Sequence, residues 1–304
     1  MYIVNHRGIF FTITGVILAA ALASILVFGL APGIDFAGGT LMEVSYAGQR
    51  PDLAALKKQV SAIPLGEISL RESGVNGVTL RARSLTPAEH SAVLAALSYA
   101  GAGTTTELSY TSVGPSLGAE FANKALWALG AVIIAIVLYI AWAFRKVSRP
   151  VSSWVYGFAV IIILLHDLII PAGFYALLGH FTGVEVDSLF VVALLALLGY
   201  SVNDTIVIFD RVREHLANNE KRNVKEAFSE TVGKSINETI GRSINTSLTV
   251  VLALAVLVFF GAAATRDFAL VMLVGVIAGT YSSILLAAPL LVPVAAWLER
   301  RKAR

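Results

Sequence analysis

The sequence contains no cysteine and few charged residues, and each scarcity excludes a class of structure. Without cysteine, the chain has neither disulfide bonds nor thiolate metal sites. Only 14% of its residues are charged, whereas soluble domains carry about 25%. A water-soluble protein of 304 residues could not cover its apolar surface with so few charges, so a lipid environment is favoured.

Long apolar runs account for this composition. The hydrophobic share is 57%, the mean hydropathy is +0.77, and six runs reach the roughly 20 residues that cross a bilayer. The runs are Ile9–Ala31, Ala125–Phe144, Val151–Leu178, Leu189–Phe209, Ile244–Ala264 and Phe268–Leu298. The first is too long for the core of a cleaved signal peptide, so a retained helix is predicted. The predicted fold class is therefore an α-helical polytopic membrane protein with six transmembrane helices.

The basic residues predict the orientation of these helices. Fifteen Lys and Arg residues lie on one side of the predicted membrane: before the first run, between the second and third, between the fourth and fifth, and after the sixth. The short loops on the opposite side contain only Arg266. Positive residues favour the cytoplasmic side. We therefore expect residues 1–31 to hold a cytoplasmic N-terminus and the first helix, 125–298 the other five helices, and 299–304 a cytoplasmic tail. Residues 32–124 would form an extracytoplasmic domain.

Residues 32–124 have the patterning of a soluble domain. Strands are predicted at 41–46, 67–72, 77–83 and 104–113, and helices at 51–63 and 86–99, the second with the capping box Thr86–Glu89. The order βαββαβ is typical of a ferredoxin-like fold. This segment offers no metal cluster, paired catalytic carboxylates or nucleophile with a base. His90 is interpreted as a solvated residue, and Gly101–Thr104 as a plain turn.

Two carboxylates lie inside predicted membrane helices, where a charge is costly to insert. Asp204 lies in the fourth helix beside Ser201 and Asn203, and Asp167 lies in the third helix after His166. Polar clusters of this kind favour an ion or proton path. The alternative is that both carboxylates only hold helices together through hydrogen bonds. Arg242, which begins the fifth span, either pairs with Asp204 or extends to the lipid headgroups.

Two further patterns concern packing. The sixth helix carries Gly275, Gly279, Ser282 and Ser283, whose small side chains let helix backbones approach closely. In the loop 210–243, apolar residues recur at intervals of four over Val224–Ile240. We interpret this stretch as an amphipathic helix lying at the cytoplasmic membrane surface.

Several motifs together resemble the SecD–SecF family of bacterial protein-export proteins, a branch of the resistance–nodulation–division superfamily. Gly33–Thr40 is similar to the family's GxDFxGG signature, and Gly199–Glu214 is similar to its most diagnostic stretch. His166-Asp167, Arg242–Thr249 and Gly279–Ser283 follow in the family's order, so the resemblance covers nearly the whole chain.

The resemblance implies a function driven by the proton-motive force, without enzymatic activity or a cofactor. It implies that Asp204 binds a proton and Arg242 is its partner, with Asn203 and Asp167 in the same relay. Changes there would reach the outer domain through a connecting hinge. The hinge residues are Gly33, Asp35, Phe36, Gly38 and Gly39.

The resemblance also implies partners and a location. The partners are a separate SecD subunit, the SecYEG channel, SecA as the earlier ATP-dependent motor, the accessory proteins YajC and YidC, and unfolded preprotein. The location is the bacterial plasma membrane, and no nucleic-acid partner is expected. Two alternatives remain, a small-molecule exporter of the same superfamily and a non-transporting scaffold. Exporters usually carry twelve spans and two large outer domains, which argues against the first.

Overall fold

The computed structural model describes residues 2–98, 105–145 and 153–302. The helices are α1 (Tyr2–Asn5), α2 (Arg7–Phe28), α3 (Ile34–Ala37), α4 (Leu53–Val60), α5 (Pro87–Leu97), α6 (Pro115–Ala143), α7 (Ser153–Thr182), α8 (Ser188–Lys221), α9 (Phe228–Phe260), α10 (Ala263–Ser282) and α11 (Ala288–Lys302). The strands are β1 (Gly39–Tyr46), β2 (Ser69–Ser73), β3 (Gly77–Ala82) and β4 (Thr105–Val113). The chain divides into two compact units, residues 32–126 and the remainder.

Six helical segments are long and apolar enough to cross a membrane, which confirms the predicted fold class. They are α2, α6, α7, α8, α9 and the segment Thr265–Leu298, which comprises most of α10 and α11. In the buried core of this unit, the Phe144 ring stacks on Tyr156, and the Phe209 ring contacts Tyr156 edge to face. The helix α2 packs on α7 so closely that Ser24 Oγ donates to the Gly173 carbonyl at 2.8 Å.

The segment Ser283–Ala287 joins α10 to α11 as a single π-helical turn. Pro289 follows the turn and has no N–H to donate to the carbonyl four residues earlier. The helix continues through this position in the wider π form instead of ending. This turn points Ser283 into the bundle, where its hydroxyl is fully buried.

The unit 32–126 contains one antiparallel sheet with strand order β2-β3-β1-β4. Together with α4 and α5 it is the predicted βαββαβ fold. Alternate β1 residues, among them Met42 and Val44, are buried beneath the helices. The capping box at Thr86 and Glu89 is present as predicted. The proposed turn at Gly101–Thr104 and the predicted ends at residues 99 and 104 lie outside the described residues.

The interpretation of His90 as a solvated residue is wrong. Its Nε2 lies 3.1 Å from a carboxylate oxygen of Glu107 on β4, and its ring lies 4.2 Å from that of Tyr110. With only 25% of its side chain exposed, His90 joins α5 to the sheet. The helical periodicity of α5 predicts that His90 lies on the helix surface, but it does not show that β4 packs against that surface.

The stretch Val224–Ile240 also differs from its prediction, because it is not a separate helix. From Phe228 onward it forms the first turns of α9, which continues into the fifth span. Val232 and Ile236 are buried in the core of the helical unit. The periodic apolar face thus packs against protein, which an amphipathic pattern alone cannot distinguish from a membrane surface.

Candidate functional site

Asp204 on α8 is surrounded by hydroxyl groups from two neighbouring helices. The residue is 5% exposed, and its Oδ2 accepts a hydrogen bond from Ser247 Oγ of α9 at 3.3 Å. Ser247 accepts in turn from Thr280 Oγ1 of α10 at 2.6 Å and from the Tyr200 hydroxyl at 3.3 Å. Because a hydroxyl both donates and accepts, this chain of contacts can pass a proton.

The hydroxyls beside Asp204 are reached from outside the bundle by an apolar groove of about 450 Å³ between α9 and the α10 segment. Ile244, Leu248 and Ile277 contribute to its walls, and Ser247 and Thr280 also line it. The groove therefore connects the bundle surface with the hydrogen-bonding partners of Asp204.

Arg242 and Asn203 both lie at the surface of the described chain. Arg242 makes no hydrogen bond or ion pair with any described residue, although it is near enough to Asp204 to interact with it electrostatically. Asn203 precedes Asp204 in the fourth span and is exposed. The two polar side chains are thus available to a neighbouring molecule.

Asp167 on α7 forms a second polar centre, which contacts α8 through Ser201. It is fully buried, and its Oδ1 lies 2.8 Å from Nδ1 of His166. Its Oδ2 accepts a hydrogen bond from Ser201 Oγ. The described chain provides no Lys or Arg within ion-pair distance of either membrane carboxylate.

The small residues of the sixth span pack within this chain. A Cβ on Gly275 would overlap the Leu197 side chain. A Cβ on Gly279 would lie 3.1 Å from Ser201 Oγ and 3.6 Å from Asp167 Oδ2. Ser282 Oγ donates to the Gly279 carbonyl at 3.0 Å, and Ser283 shares a 2.8 Å hydrogen bond with Thr205. Gly279 thus brings α10 close against the Asp167 centre.

The segment that the sequence identified as a hinge is tightly packed. Gly33 begins α3, which contains Asp35 and Phe36, and Gly38 and Gly39 follow with φ of +73° and +131°. A Cβ on Gly38 would lie 2.7 Å from the Pro115 Cα, and one on Gly39 would lie 2.8 Å from the Ala82 carbonyl. These glycines permit close backbone approach and left-handed conformations.

Three polar contacts of the site were missed at the sequence level. Tyr200 and Thr280 belong to the motifs that were noticed, but nothing in their spacing indicated that both reach Ser247. His166 was noted only as the neighbour of Asp167, because adjacent helical residues do not normally face each other. The available signal was that all three are polar residues within membrane spans.

Comparison with known proteins gives the chain a family context. Residues 93–297 match the family described as "Protein export membrane protein SecD/SecF, C-terminal", and residues 23–49 match the "SecD/SecF GG Motif". The protein translocase subunit SecF of Thermobaculum terrenum is 37% identical over 95% of this chain and 92% of its own length. That of Rickettsia prowazekii is 31% identical over 94% and 88%, respectively.

Two crystal structures of SecDF share the fold. The structure from Thermus thermophilus has a TM-score of 0.79 and 31% identity, covering 97% of this chain. A second structure, of SecDF in a "Super-membrane-facing form", has a TM-score of 0.59 and 30% identity over 96% of this chain. This chain spans 38% of the SecDF chain in both cases.

Proposed function

Because the chain belongs to the SecD/SecF family of protein export membrane proteins, we propose that it couples the proton-motive force to the export of preproteins. Its relatives over nearly the full length are SecF subunits of the protein translocase, and it is a multi-pass membrane protein of this bacterial type. Acting with SecD, it completes export through SecYEG after the ATP-dependent step of SecA. The proposal depends chiefly on one observation, the buried Asp204 carboxylate among hydroxyls.

The proton is proposed to bind at Asp204. In its neutral form this carboxyl group accepts a hydrogen bond from Ser247 and carries no charge, whereas its ionised form needs a counter-charge in a membrane. Arg242 supplies that charge from α9 if its side chain turns inward. One charge crossing 100 mV provides about 2.3 kcal/mol, which shifts a two-state ratio roughly fifty-fold. That is sufficient to bias the outer domain between two positions.

The connector Gly33–Gly39 is proposed to transmit this change. Its glycines pack against Pro115 and Ala82, so the connector, β3 and the start of α6 are joined in one unit. We therefore propose that the segment moves as a rigid joint and does not bend internally. Replacement of Gly38 by Ala, which forces the backbone away from Pro115, would then uncouple export from the gradient without abolishing membrane insertion.

Asp204→Asn tests the proton site, since the amide keeps the size of the side chain but cannot ionise. We expect the variant to insert and to bind SecD, yet to lose the gradient-dependent part of preprotein export into inverted membrane vesicles. Asp204→Glu should keep partial activity. The matched control is Asp210→Asn, six residues further along α8, where the carboxylate pairs with Arg213 at the surface. A full response of Asp204→Asn vesicles to the gradient would make Asp204 a packing residue, as in the scaffold alternative.

The exposed face of α8 is proposed to contact SecD. Ala196, Gly199 and Asn203 lie along it, and a Cβ on Gly199 would meet no group of the described residues within 4 Å. Small residues at this spacing let a second helix approach closely, and Asn203 needs a polar partner that lipid cannot provide. Six spans therefore do not complete the path, and a pseudo-symmetric pair of subunits would.

Cysteine crosslinking in membranes tests this interface, because the chain has no native cysteine. Gly199→Cys should crosslink to a cysteine placed on the central helices of SecD. Ile134→Cys, on the exposed face of α6, should not. If only the α6 position reacted, the two subunits would pack through a different face.

Further partners are proposed from the family alone. SecYEG, YajC and YidC would assemble around the pair in the plasma membrane, with SecA acting from the cytoplasm. Affinity purification from gently solubilised membranes, followed by mass spectrometry, should recover SecD and SecYEG above all other proteins. Recovery of a periplasmic adaptor and an outer-membrane channel instead would favour the exporter alternative.

A further inference from the structure

The Asp167 centre is separate from the Asp204 site. Asp167 bonds to Ser201, which lies three residues before Asp204 on α8, whereas Asp204 bonds to Ser247 on α9. The two carboxylates have no hydrogen-bonding partner in common. Asp167 on α7 and Asp204 on α8 therefore each have their own hydroxyl donor.

The partners of Asp167 do not stabilise an isolated negative charge. It is fully buried, and the groups facing it are the His166 ring from α7, the Ser201 hydroxyl from α8, and Gly279 from α10. Among the described residues, His166 is the one titratable group in contact with it. An unpaired carboxylate in such surroundings is costly, whereas a neutral pair is not.

Electrical neutrality of this pair requires one bound proton. When Asp167 is ionised and His166 is a neutral imidazole with its usual single N–H, the pair carries a charge of −1. Binding of one proton gives either a carboxylic acid beside neutral His166 or a carboxylate beside the imidazolium, and both are neutral. In either arrangement the proton lies between Oδ1 and Nδ1, which are 2.8 Å apart. No other bond is made or broken.

We propose that Asp167 and His166 form a second proton-binding site, which binds and releases its proton independently of Asp204. The physiological purpose of this site rests on the proposed proton-driven function, but the binding of the proton does not. The site is closed by α10, since Gly279 allows that helix to lie against Ser201 and Asp167. Release of the proton therefore requires α10 to move away from α8.

The π-helical turn Ser283–Ala287, at the end of α10, is the point at which α10 can move away from α8. Ser283, its first residue, bonds to Thr205 and also donates to the Ser201 carbonyl at 3.4 Å. Ser201 thus contacts Asp167 through its side chain and the turn through its backbone. Loss of the proton would leave Asp167 negatively charged, and it would then attract hydrogen-bond donors more strongly. Because Ser201 contacts both Asp167 and the π-helical turn, it is the residue that passes this change to α10.

Infrared difference spectroscopy of the reconstituted complex with SecD, recorded between acidic and alkaline pH, tests the proposal. The carbonyl stretch of a protonated carboxyl group and the ring modes of an imidazolium are both observed directly, so either neutral arrangement of the Asp167–His166 pair gives a band. We expect Asp167→Asn to remove the band of this pair and Asp204→Asn to remove a different, carboxyl band. His166→Gln should shift or remove the Asp167 band and leave the Asp204 band in place. The control Asp210→Asn should leave both bands.

Three outcomes would overturn the proposal. An unchanged spectrum for Asp167→Asn would mean that this residue binds no titratable proton, and loss of both bands in one variant would mean a single coupled site. If Asp167→Asn does not accumulate, Ser201→Ala decides, because it removes one donor and keeps both carboxylates. It should shift the Asp167 band alone, and no shift would contradict the assignment. Export measurements on Asp204→Asn test the proposed function separately.

Discussion

At the scale of single residues, Gly279 leaves little room for a larger side chain. A methyl group there would lie 3.1 Å from both Cβ and Oγ of buried Ser201, so Ser201 or α10 would have to shift by a few tenths of an ångström. Overpacking of this kind costs about 1–3 kcal/mol. We therefore expect Gly279→Ala to lower the thermal unfolding temperature of the purified complex with SecD.

The matched variant is Gly130→Ala on α6, where a Cβ would meet no atom of the described part of the chain within 4 Å. Because alanine loses less backbone entropy than glycine, this change should be neutral or stabilising by up to about 1 kcal/mol. If the unfolding temperature falls for Gly279→Ala but not for Gly130→Ala, the close approach of α10 at Gly279 is supported. Equal changes in unfolding temperature would mean that α10 lies further from α8.

Glu226 provides a residue-scale prediction that depends on pH. A hydrogen bond from Lys234 lowers its pKa from 4.5 to about 2, assisted by Asn219 and Thr231. Because the folded pKa is depressed, the stabilisation is present above pH 4.5 and is lost as the pH falls towards 2. Glu226→Gln should lower stability at neutral pH by less than about 1 kcal/mol, since Lys234 is half exposed.

Melting curves of the purified complex between pH 2 and 6 give the measurement. The curves of the wild-type protein and Glu226→Gln should converge at the acidic end of that range. Glu220→Gln serves as control, because Glu220 is exposed and its side chain forms no ion pair with the described residues. A difference in melting temperature between the two proteins that stays constant across the whole pH range would show that the charge of Glu226 does not contribute to stability.

The two membrane carboxylates illustrate what the sequence could predict at this scale. Asp167 and Asp204 are identifiable because charge is costly in an apolar helix. Their partners are not, because Ser247 lies 43 residues from Asp204 and Ser201 lies 34 from Asp167. Contacts between distant residues depend on helix rotation, and no local pattern specifies that rotation.

At the scale of secondary-structure elements, α5 depends on its first turn. Thr86 accepts from the Glu89 backbone N–H, and Glu89 accepts in return from the Thr86 backbone. Removal of such a cap typically costs about 1 kcal/mol. We expect Thr86→Ala to lower the free energy of unfolding by that amount, whereas Thr86→Ser should keep most of the stability. Chemical denaturation of the full complex, followed by a fluorescent label on α5, would measure both.

Element types were more predictable than element ends. The second span was predicted to begin at Ala125, yet α6 begins at Pro115. The hydrophobic run marks only the part of the helix that lipid could cover, but a proline at the first position starts a helix in any solvent. Likewise α8 continues to Lys221, and its polar final turns are stabilised by ion pairs such as Arg211 with Glu238, which hydropathy does not detect.

At the scale of the whole molecule, the distribution of basic residues predicts an orientation that labelling can test. Single cysteines at Ser91 and Ala217, both exposed, serve as the labelling positions. In intact cells, an impermeant thiol reagent should label position 91 and spare position 217. After permeabilisation both should react. Labelling of position 217 alone in intact cells would mean that the topology is the reverse of the predicted one.

The exposed Asn203 has a consequence for the life of the molecule before it meets its partner. A newly made chain presents this amide to lipid, which offers it no hydrogen bond. Membrane surveillance proteases can use such a polar group as a mark of an orphan subunit. We therefore expect the chain to turn over faster in cells that lack SecD, and Asn203→Leu to lengthen its half-life in those cells. The residue would then keep the two subunits at matched levels through degradation of whichever copies remain unpaired.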